Sequence, residues 1–219
     1  LHRMGFDEVY DTSTGADLTV LEESNELLNR LEKNNDENKS QVQDNEHDSS
    51  QMPLFTSCCP AWVNFCEKNY PELLPYLSTC RSPMEMLASV IREQNTNSSR
   101  KHVHVAVMPC TAKKFEASRD EFKVDGKPNV DYVITTQELI QMIKESGLVF
   151  SELEPEAVDM PFGMMTGAGV IFGVTGGVTE AVLRRVLSDK SKTSLFSLAY
   201  KGIRGMKGVK ETTIMYGNR

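Results

Sequence analysis

The sequence predicts an α/β fold. Apolar stretches of strand length, such as 103–108 and 130–135, alternate along the chain with stretches whose apolar residues recur at helical spacing. The sharpest cysteine sites, Cys58/Cys59 and Cys110, fall where predicted strands end, which is where α/β folds place their chemistry. With 219 residues, 39% hydrophobic and 25% charged, the chain suits one large domain or two small ones.

Taken in order, FDEVYDT (6–12) reads as a short strand. A helix follows over 16–33, with Leu18, Leu21, Leu27, Leu28 and Leu31 as its apolar face. Residues 34–51 contain one apolar side chain, Val42, and cannot offset the entropy of ordering; they read as a disordered polar insertion in a surface loop, with His47 solvated in it. PLFTS (53–57) is a short strand running into the cysteine pair. Residues 61–78 and 82–94 are helical pieces. HVHVAVMP (102–109) is a strand from Val103 onward, ending near Cys110. VDYVITT (130–136) is another, feeding a helix that a Thr135/Glu138 capping box starts and Gly147 ends, with Leu139, Met142 and Ile143 apolar. A glycine-rich passage, 166–177, leads into a helix over 178–189. Its glycines do not have G-x-G-x-x-G spacing, so it reads as a close-packed turn. The tail, 195–217, reads as two strands around glycine turns, and its basic stretch as a solvated hairpin.

A net charge of −7 without a basic stripe argues against nucleic acid and anionic membrane as partners. No apolar run approaches the roughly 18 residues of a membrane span. The first residues, LHRMGFDEVY, contain no signal-peptide core and no initiating Met, and read as the middle of a longer protein. The five cysteines fit neither a secreted disulfide framework nor paired C-x-x-C zinc halves, and imply thiols or metal ligands in a reducing compartment. Cys66 and Cys80 are most simply small buried hydrophobes, and Trp62 a core residue. His102 and His104 share a strand face, but no third ligand is near them in sequence.

Two motifs join cysteine to proline after a strand: TSCCPAW (56–62) and MPCTAKKFE (108–116). Adjacent cysteines rarely bridge each other, because their Cα atoms are only about 3.8 Å apart. Cys58 and Cys59 therefore have separate tasks. A thiolate needs a soft cation or a nearby positive charge, which Lys113 can supply. Such cysteines suit an iron–sulfur cluster, or equally a catalytic thiol.

These two motifs, with GADLTVLEE (15–23) and GAGVIFGVTGGVTEAVLR (167–184), resemble the signatures of the iron-only hydrogenase catalytic domain over nearly the whole chain outside the polar insertion. The resemblance implies a two-lobed domain, of which 1–219 is an internal part, with mixed sheets flanked by helices and a cofactor in the cleft between lobes. That cofactor is a 4Fe-4S cubane linked through a cysteine sulfur to a di-iron subcluster carrying CO, cyanide and a bridging dithiolate amine, and the reaction is reversible reduction of protons to H2. By resemblance, Cys59 and Cys110 are two of the four cubane ligands and Cys58 carries protons to the bridging amine. Lys113 hydrogen-bonds a cyanide, and Ser82, Pro83, Met108 and Phe172 wall the pocket. The proton route is expected from Cys58 through a water to Glu26, then Ser78, then Glu23, with Arg30 near the exit. Unaided, Glu23 and Glu26 show only a shared helix face, which a solvated acidic surface also shows.

The family's other two cubane ligands lie in a C-x-x-x-C stretch that is expected beyond Arg219, and an early pocket-lining stretch ahead of Leu1. Met84 stands where many relatives carry glutamine, and Met164 and Met165 are also unusual. The resemblance further implies ferredoxin or a linked electron-transfer module, and maturation proteins for the di-iron centre. It points to the cytoplasm, or to a hydrogenosome if the source is an anaerobic eukaryote. The alternative is a hydrogenase-like protein of iron–sulfur assembly, and a third is a sensory relative. Both lack a use for Cys58. Deleting 34–51 is expected to leave activity nearly unchanged; loss of soluble protein on deletion would show that the segment supports the core.

Overall fold

The computed structural model describes residues 1–37, 52–96, 98–187, 201–202 and 208–214. It is mixed α/β, with helices flanking small sheets. Helix α1 spans Thr12–Glu37, and four residues of the polar 34–51 segment continue it. The rest of that segment lies outside the described residues. The expected strand at 6–12 is absent; that stretch is pinned instead by Val9, whose N–H donates to the Asp159 carboxylate and whose carbonyl accepts from the Asp159 N–H.

Helix α2 is Pro60–Asn69, with Pro60 at its first position, where a missing N–H costs nothing. A 3₁₀ turn over Pro71–Tyr76 follows, and Phe55 makes a single parallel bridge to Leu77 in place of the strand expected at 53–57. Helix α3 is Pro83–Gln94. Strand β1, Val105–Met108, leads through Cys110 into helix α4, Ala112–Ser118. A tight hairpin joins β2, Lys123–Val124, to β3, Lys127–Pro128. Its turn residues, Asp125 and Gly126, both have positive φ, the Asp-Gly signal that a two-residue hairpin favours.

Strand β4, Tyr132–Thr135, pairs with β1 in parallel, Met108 facing Thr135. Helix α5, Thr136–Glu145, starts with the expected capping box, and Gly147 beyond it sits at φ +73°. Its apolar face is only partly covered: Leu139 and Ile143 are half-buried and Met142 is exposed. The glycine-rich passage forms helix α6, Gly167–Phe172, and then α7, Gly177–Val186. Strands β5, Lys201–Gly202, and β6, Lys210–Glu211, pair antiparallel, and the rest of the expected tail strands lies outside the described residues.

Helix α1 is the hub, packing on α3, α6 and α7. Its buried stripe is not the expected row of leucines, all of which are half-buried. It is Ala16, Thr19, Val20, Glu23, Ser24 and Arg30, at helical spacing. Small residues let the partner helices close in, and the two charged ones point at the site. On the other side of α3, Met84 and Ala88 pack with Met108 and Val130 in an apolar core.

At Gly15 an added Cβ would lie 2.1 Å from the Pro83 carbonyl oxygen. Gly15→Ala in the intact protein is expected to force α1 and α3 apart and cost about 1–3 kcal/mol in urea unfolding. An unchanged midpoint would show that this contact is slack.

Candidate functional site

The site grows from two strand-to-helix loops. Cys59 is the extended N-cap residue of α2, with φ −98° and ψ 107°. Extended backbone turns neighbouring side chains to opposite sides. Accordingly Cys59 is exposed while Cys58 is half-buried, and both are free thiols. The second loop carries the half-buried, free Cys110 just after β1.

Lys113 joins the loops. Its backbone N–H donates to the Cys110 carbonyl at 3.2 Å, and its Nζ to the Cys58 carbonyl at 3.1 Å and to Glu116 Oε2 at 2.8 Å. An ammonium has three N–H groups, so one is left for a further acceptor. Ser82 is 2% exposed; its hydroxyl donates to Glu116 Oε2 at 3.0 Å, which commits it to this clamp. Pro83 begins α3 directly behind it. Met108 is in the apolar core beneath the loop, and Phe172 is half-buried at the end of α6.

Burial, reinforced by the Glu23 charge and opposed by Lys113, pushes the Cys58 thiol up to about 12. It stays protonated at neutral pH. Behind it lie the two acids of α1. Glu23 is 1% exposed, and neither of its oxygens makes a well-formed hydrogen bond; burial raises its carboxyl to about 7, opposed by the nearby Ser78 hydroxyl and Ser57 N–H and reinforced by the Glu26 charge. Glu26 is nearer the surface and saturated. It accepts from Ser78 Oγ at 2.7 Å, the Thr79 N–H at 3.1 Å, Arg30 at 2.5 Å and Cys80 Sγ at 3.6 Å. Arg30 also donates to the Leu77 carbonyl at 2.9 Å. An open cavity of about 290 Å³ lies against Glu26, Arg30 and Lys33.

This geometry reverses the order expected from sequence. Glu23 is the inner acid, electrostatically next to Cys58, and Glu26 is the outer one, paired with Arg30. The two are three residues apart, and helix periodicity cannot say which end of the face points inward. Cys80 is likewise no simple core residue: it is half-buried, donates to Glu26 and is raised by burial to about 12. Cys66 is fully buried, as its reading required, whereas Trp62 is half-buried among Phe55 and Phe65. His102 and His104 engage different partners, Ser98 and the Asn129 carbonyl.

Sequence reasoning missed three polar residues. Glu116 completes the lysine clamp. Asp17 reaches from α1 to receive Thr166 N–H at 2.6 Å and Gly169 N–H at 2.8 Å, fixing the start of α6. Glu85 lies fully buried on α3. The MPCTAKKFE motif contained Glu116, and its i, i+3 spacing from Lys113 was a usable signal. Asp17 also lay within a quoted motif, GADLTVLEE, but no spacing marked its role, and nothing local marked Glu85.

Among the described residues, no group of three or more His, Cys, Asp or Glu could hold a metal ion. Cys59 and Cys110, free thiols on the two loops that Lys113 joins, fit an iron–sulfur cluster as half of a four-thiolate donor set.

A family model described as iron only hydrogenase large subunit, C-terminal domain, matches residues 1–219. The chain belongs to this family. It is 42% identical to the NADP-reducing hydrogenase subunit HndD of Solidesulfovibrio fructosivorans, with 100% of the chain and 36% of the relative covered. Its fold matches a structure of apo FeFe-hydrogenase HydA1 from Chlamydomonas reinhardtii with TM-score 0.75 and 40% identity, covering 99% of this chain and 53% of that one. Protein NAR1 of Arabidopsis thaliana is also similar, 33% identical over 84% of the chain and 41% of the relative. The chain therefore spans about a third to a half of the length of the proteins it matches. The α/β architecture with helices around small sheets is that of part of the hydrogenase catalytic domain. No helix among the described residues is long and apolar enough to cross a membrane.

The Glu23 carboxyl has an ordinary value of 4.5 and a folded value of about 7. A raised value stabilises the fold fully below 4.5, and that contribution is lost as pH rises to about 7 and beyond, roughly 3 kcal/mol in all. Glu23→Gln is expected to make the apoprotein more stable than wild type at pH 8, by about 1–3 kcal/mol in denaturant unfolding. Equal or lower stability would mean that Glu23 is not held in a dry site.

Proposed function

We propose that this chain is the cluster-bearing part of an iron-only hydrogenase that reversibly reduces protons to H2. The observation that carries the reading is the hydrogen-bonded set Ser78–Glu26–Arg30 at an open cavity, with the buried Glu23 between it and the half-buried thiol of Cys58, itself beside the exposed Cys59. Cys59 and Cys110 would be two of the ligands of a 4Fe-4S cubane, and the di-iron subcluster that accompanies it, with its CO, cyanide and dithiolate amine, would supply the hydrogen chemistry when bound. Lys113 would offer its remaining N–H to an anionic cyanide of that group, a charge-assisted bond. Pro83 and Phe172 wall that side, and Ser82 and Met108 support the wall from behind.

Protons enter past Arg30 at Glu26, cross the Ser78 hydroxyl to Glu23, and pass through a water to Cys58. The unpartnered Glu23 oxygens suit that water, because a buried carboxyl without a hydrogen bond is costly. A carboxyl poised near neutrality both takes and gives a proton readily. The thiol keeps its proton until it is drawn off. Electrons come from ferredoxin or a linked module, and maturation proteins install the di-iron centre. The cytoplasm, or a hydrogenosome, is the compartment that suits these partners and the reduced thiols.

The similarity to Protein NAR1, and to relatives described as cytosolic iron–sulfur assembly factors, supports a second reading in which the domain carries a cluster without hydrogen chemistry. Cys58 separates the two, since a scaffold has no use for a thiol aimed at an acid relay. In the full-length, matured protein, Cys58→Ala is expected to lower H2 turnover by at least about 10²-fold, the scale of a lost general acid–base group. The electron-paramagnetic signal of the cubane should remain. Near-normal turnover would refute the role of Cys58, and absence of turnover in the wild type would favour assembly.

A further inference from the structure

Helix α1 meets the loop at 77–82 at Glu26, where several donors crowd one carboxylate. Arg30 takes Oε1, through Nε at 3.1 Å and a terminal nitrogen at 2.5 Å. Oε2 accepts from the Ser78 hydroxyl at 2.7 Å, the Thr79 N–H at 3.1 Å and the Cys80 sulfhydryl at 3.6 Å. These donors differ in whether they can hand a proton over. A guanidinium keeps its protons, and a backbone N–H is a donor only. The hydroxyl and the sulfhydryl each carry one hydrogen and lone pairs, so each can give a proton on one side while taking one on the other. Ser78 is 6% exposed and is the onward member of the relay toward Glu23. Cys80 is left for the outward side. It stands between two open cavities. One, of about 290 Å³, is bounded by Glu22, Glu26, Arg30 and Lys33; the other, of about 200 Å³, by Ser57, Ser78, Arg119 and Glu121. Cys80 lines both. Its backbone is fixed there, because its N–H donates to Ser78 Oγ at 3.1 Å and its carbonyl accepts from Ser57 Oγ at 2.8 Å. Glu26 borders the larger cavity too, yet Oε1 is covered by the Arg30 cation, whose charge opposes an incoming hydronium.

We propose that Cys80 is a proton-carrying residue of the relay, passing protons between cavity water and Glu26 Oε2. The proposal rests on the hydrogenase reading and deepens it by naming the group through which protons reach the outer acid. Burial, opposed by the Ser78 hydroxyl and reinforced by the Glu26 and Glu23 charges, raises the Cys80 thiol to about 12, so no free thiolate accumulates. The transfer is therefore concerted. As the S–H bond gives its proton to Oε2, the sulfur takes one from a hydronium in the cavity. One hydronium and one carboxylate become one water and one carboxylic acid, and the thiol is restored. Oε2 is also the oxygen that Ser78 Oγ touches, so the delivered proton arrives where the next carrier stands. The reverse sequence carries protons out. No oxidant or reductant is involved. A thiol thus stands at each end of the relay, Cys58 at the inner acid and Cys80 at the outer one.

Infrared difference spectra of the full-length apoprotein, wild type against Cys80→Val, should isolate one S–H stretching band. That band should move in Glu26→Gln and convert promptly to S–D in D2O. A band indifferent to Glu26, or one that converts only as slowly as local unfolding allows, would overturn the proposal. In the full-length, matured protein, Cys80→Val fills the space without an exchangeable hydrogen and is expected to lower H2 turnover by about tenfold or more, whereas Cys80→Ser keeps it within about threefold of wild type. Both variants remove the sulfur, so a packing role would not favour serine. Near-normal turnover in Cys80→Val, or equal loss in the two, would overturn the proposal and leave entry to water acting on Glu26 directly. Should Cys80→Val fail to fold, Cys80→Ser serves as the spectral reference and the apoprotein band decides. A wild type without turnover would sink the hydrogenase reading, while the apoprotein spectra judge the thiol separately.

Discussion

A single ammonium holds the site together. The Lys113 ammonium takes hold of the first cysteine loop through the Cys58 carbonyl and of Glu116 on its own helix α4, and Glu116 in turn anchors Ser82 at the head of α3; the Lys113 backbone N–H closes the turn on the Cys110 carbonyl. The first cysteine loop, α4 and, through Glu116, the head of α3 are thus tied by one side chain that is 13% exposed. At that depth the pairing is less screened than on the surface, and loss of one partner would leave the other charge buried and uncompensated. A neutral substitute would release the loops from each other before any cofactor chemistry was considered.

The second constraint is that α1 buries polar groups where a helix ordinarily buries leucines. The close approach of α1 to α3, allowed by Gly15, brings Thr19, Glu23 and Arg30 against the loop at 77–82. Arg30 and Glu26 satisfy each other there, and Glu23 is left unsatisfied. That imbalance runs against stability, and it is the kind of local inconsistency that functional sites retain. Glu85 on α3 repeats it on the far side of the same helix pair.

Much of this was legible in the sequence. Alternation of strand and helix gave the class, the Thr135/Glu138 box fixed the start of α5, and the adjacent cysteines announced two environments. What escaped detection was relational. Periodicity places Glu23 and Glu26 on one face without saying which is deeper, because depth is decided by the packing of α3. The leucines of α1 misled for the same reason: apolar character predicts a buried stripe only where the neighbours are apolar, and here they are a cysteine loop and small-residue helices. Asp17 and Glu85 could not be singled out, since their partners are about 150 and 44 residues away. The strand expected at 6–12 failed because its alternation had no neighbouring strand to pair with.

Trp62, the sole tryptophan of the chain, lies three positions after Cys59 and is held edge-on to Phe55 and nearly flat against Phe65, with ring centroids 6.1 and 6.2 Å away. Its indole is thus a native optical label on the first cysteine loop. Emission colour and intensity will follow the seating of α2 alone, undiluted by other indoles of this chain, and an iron–sulfur chromophore arriving nearby would quench it.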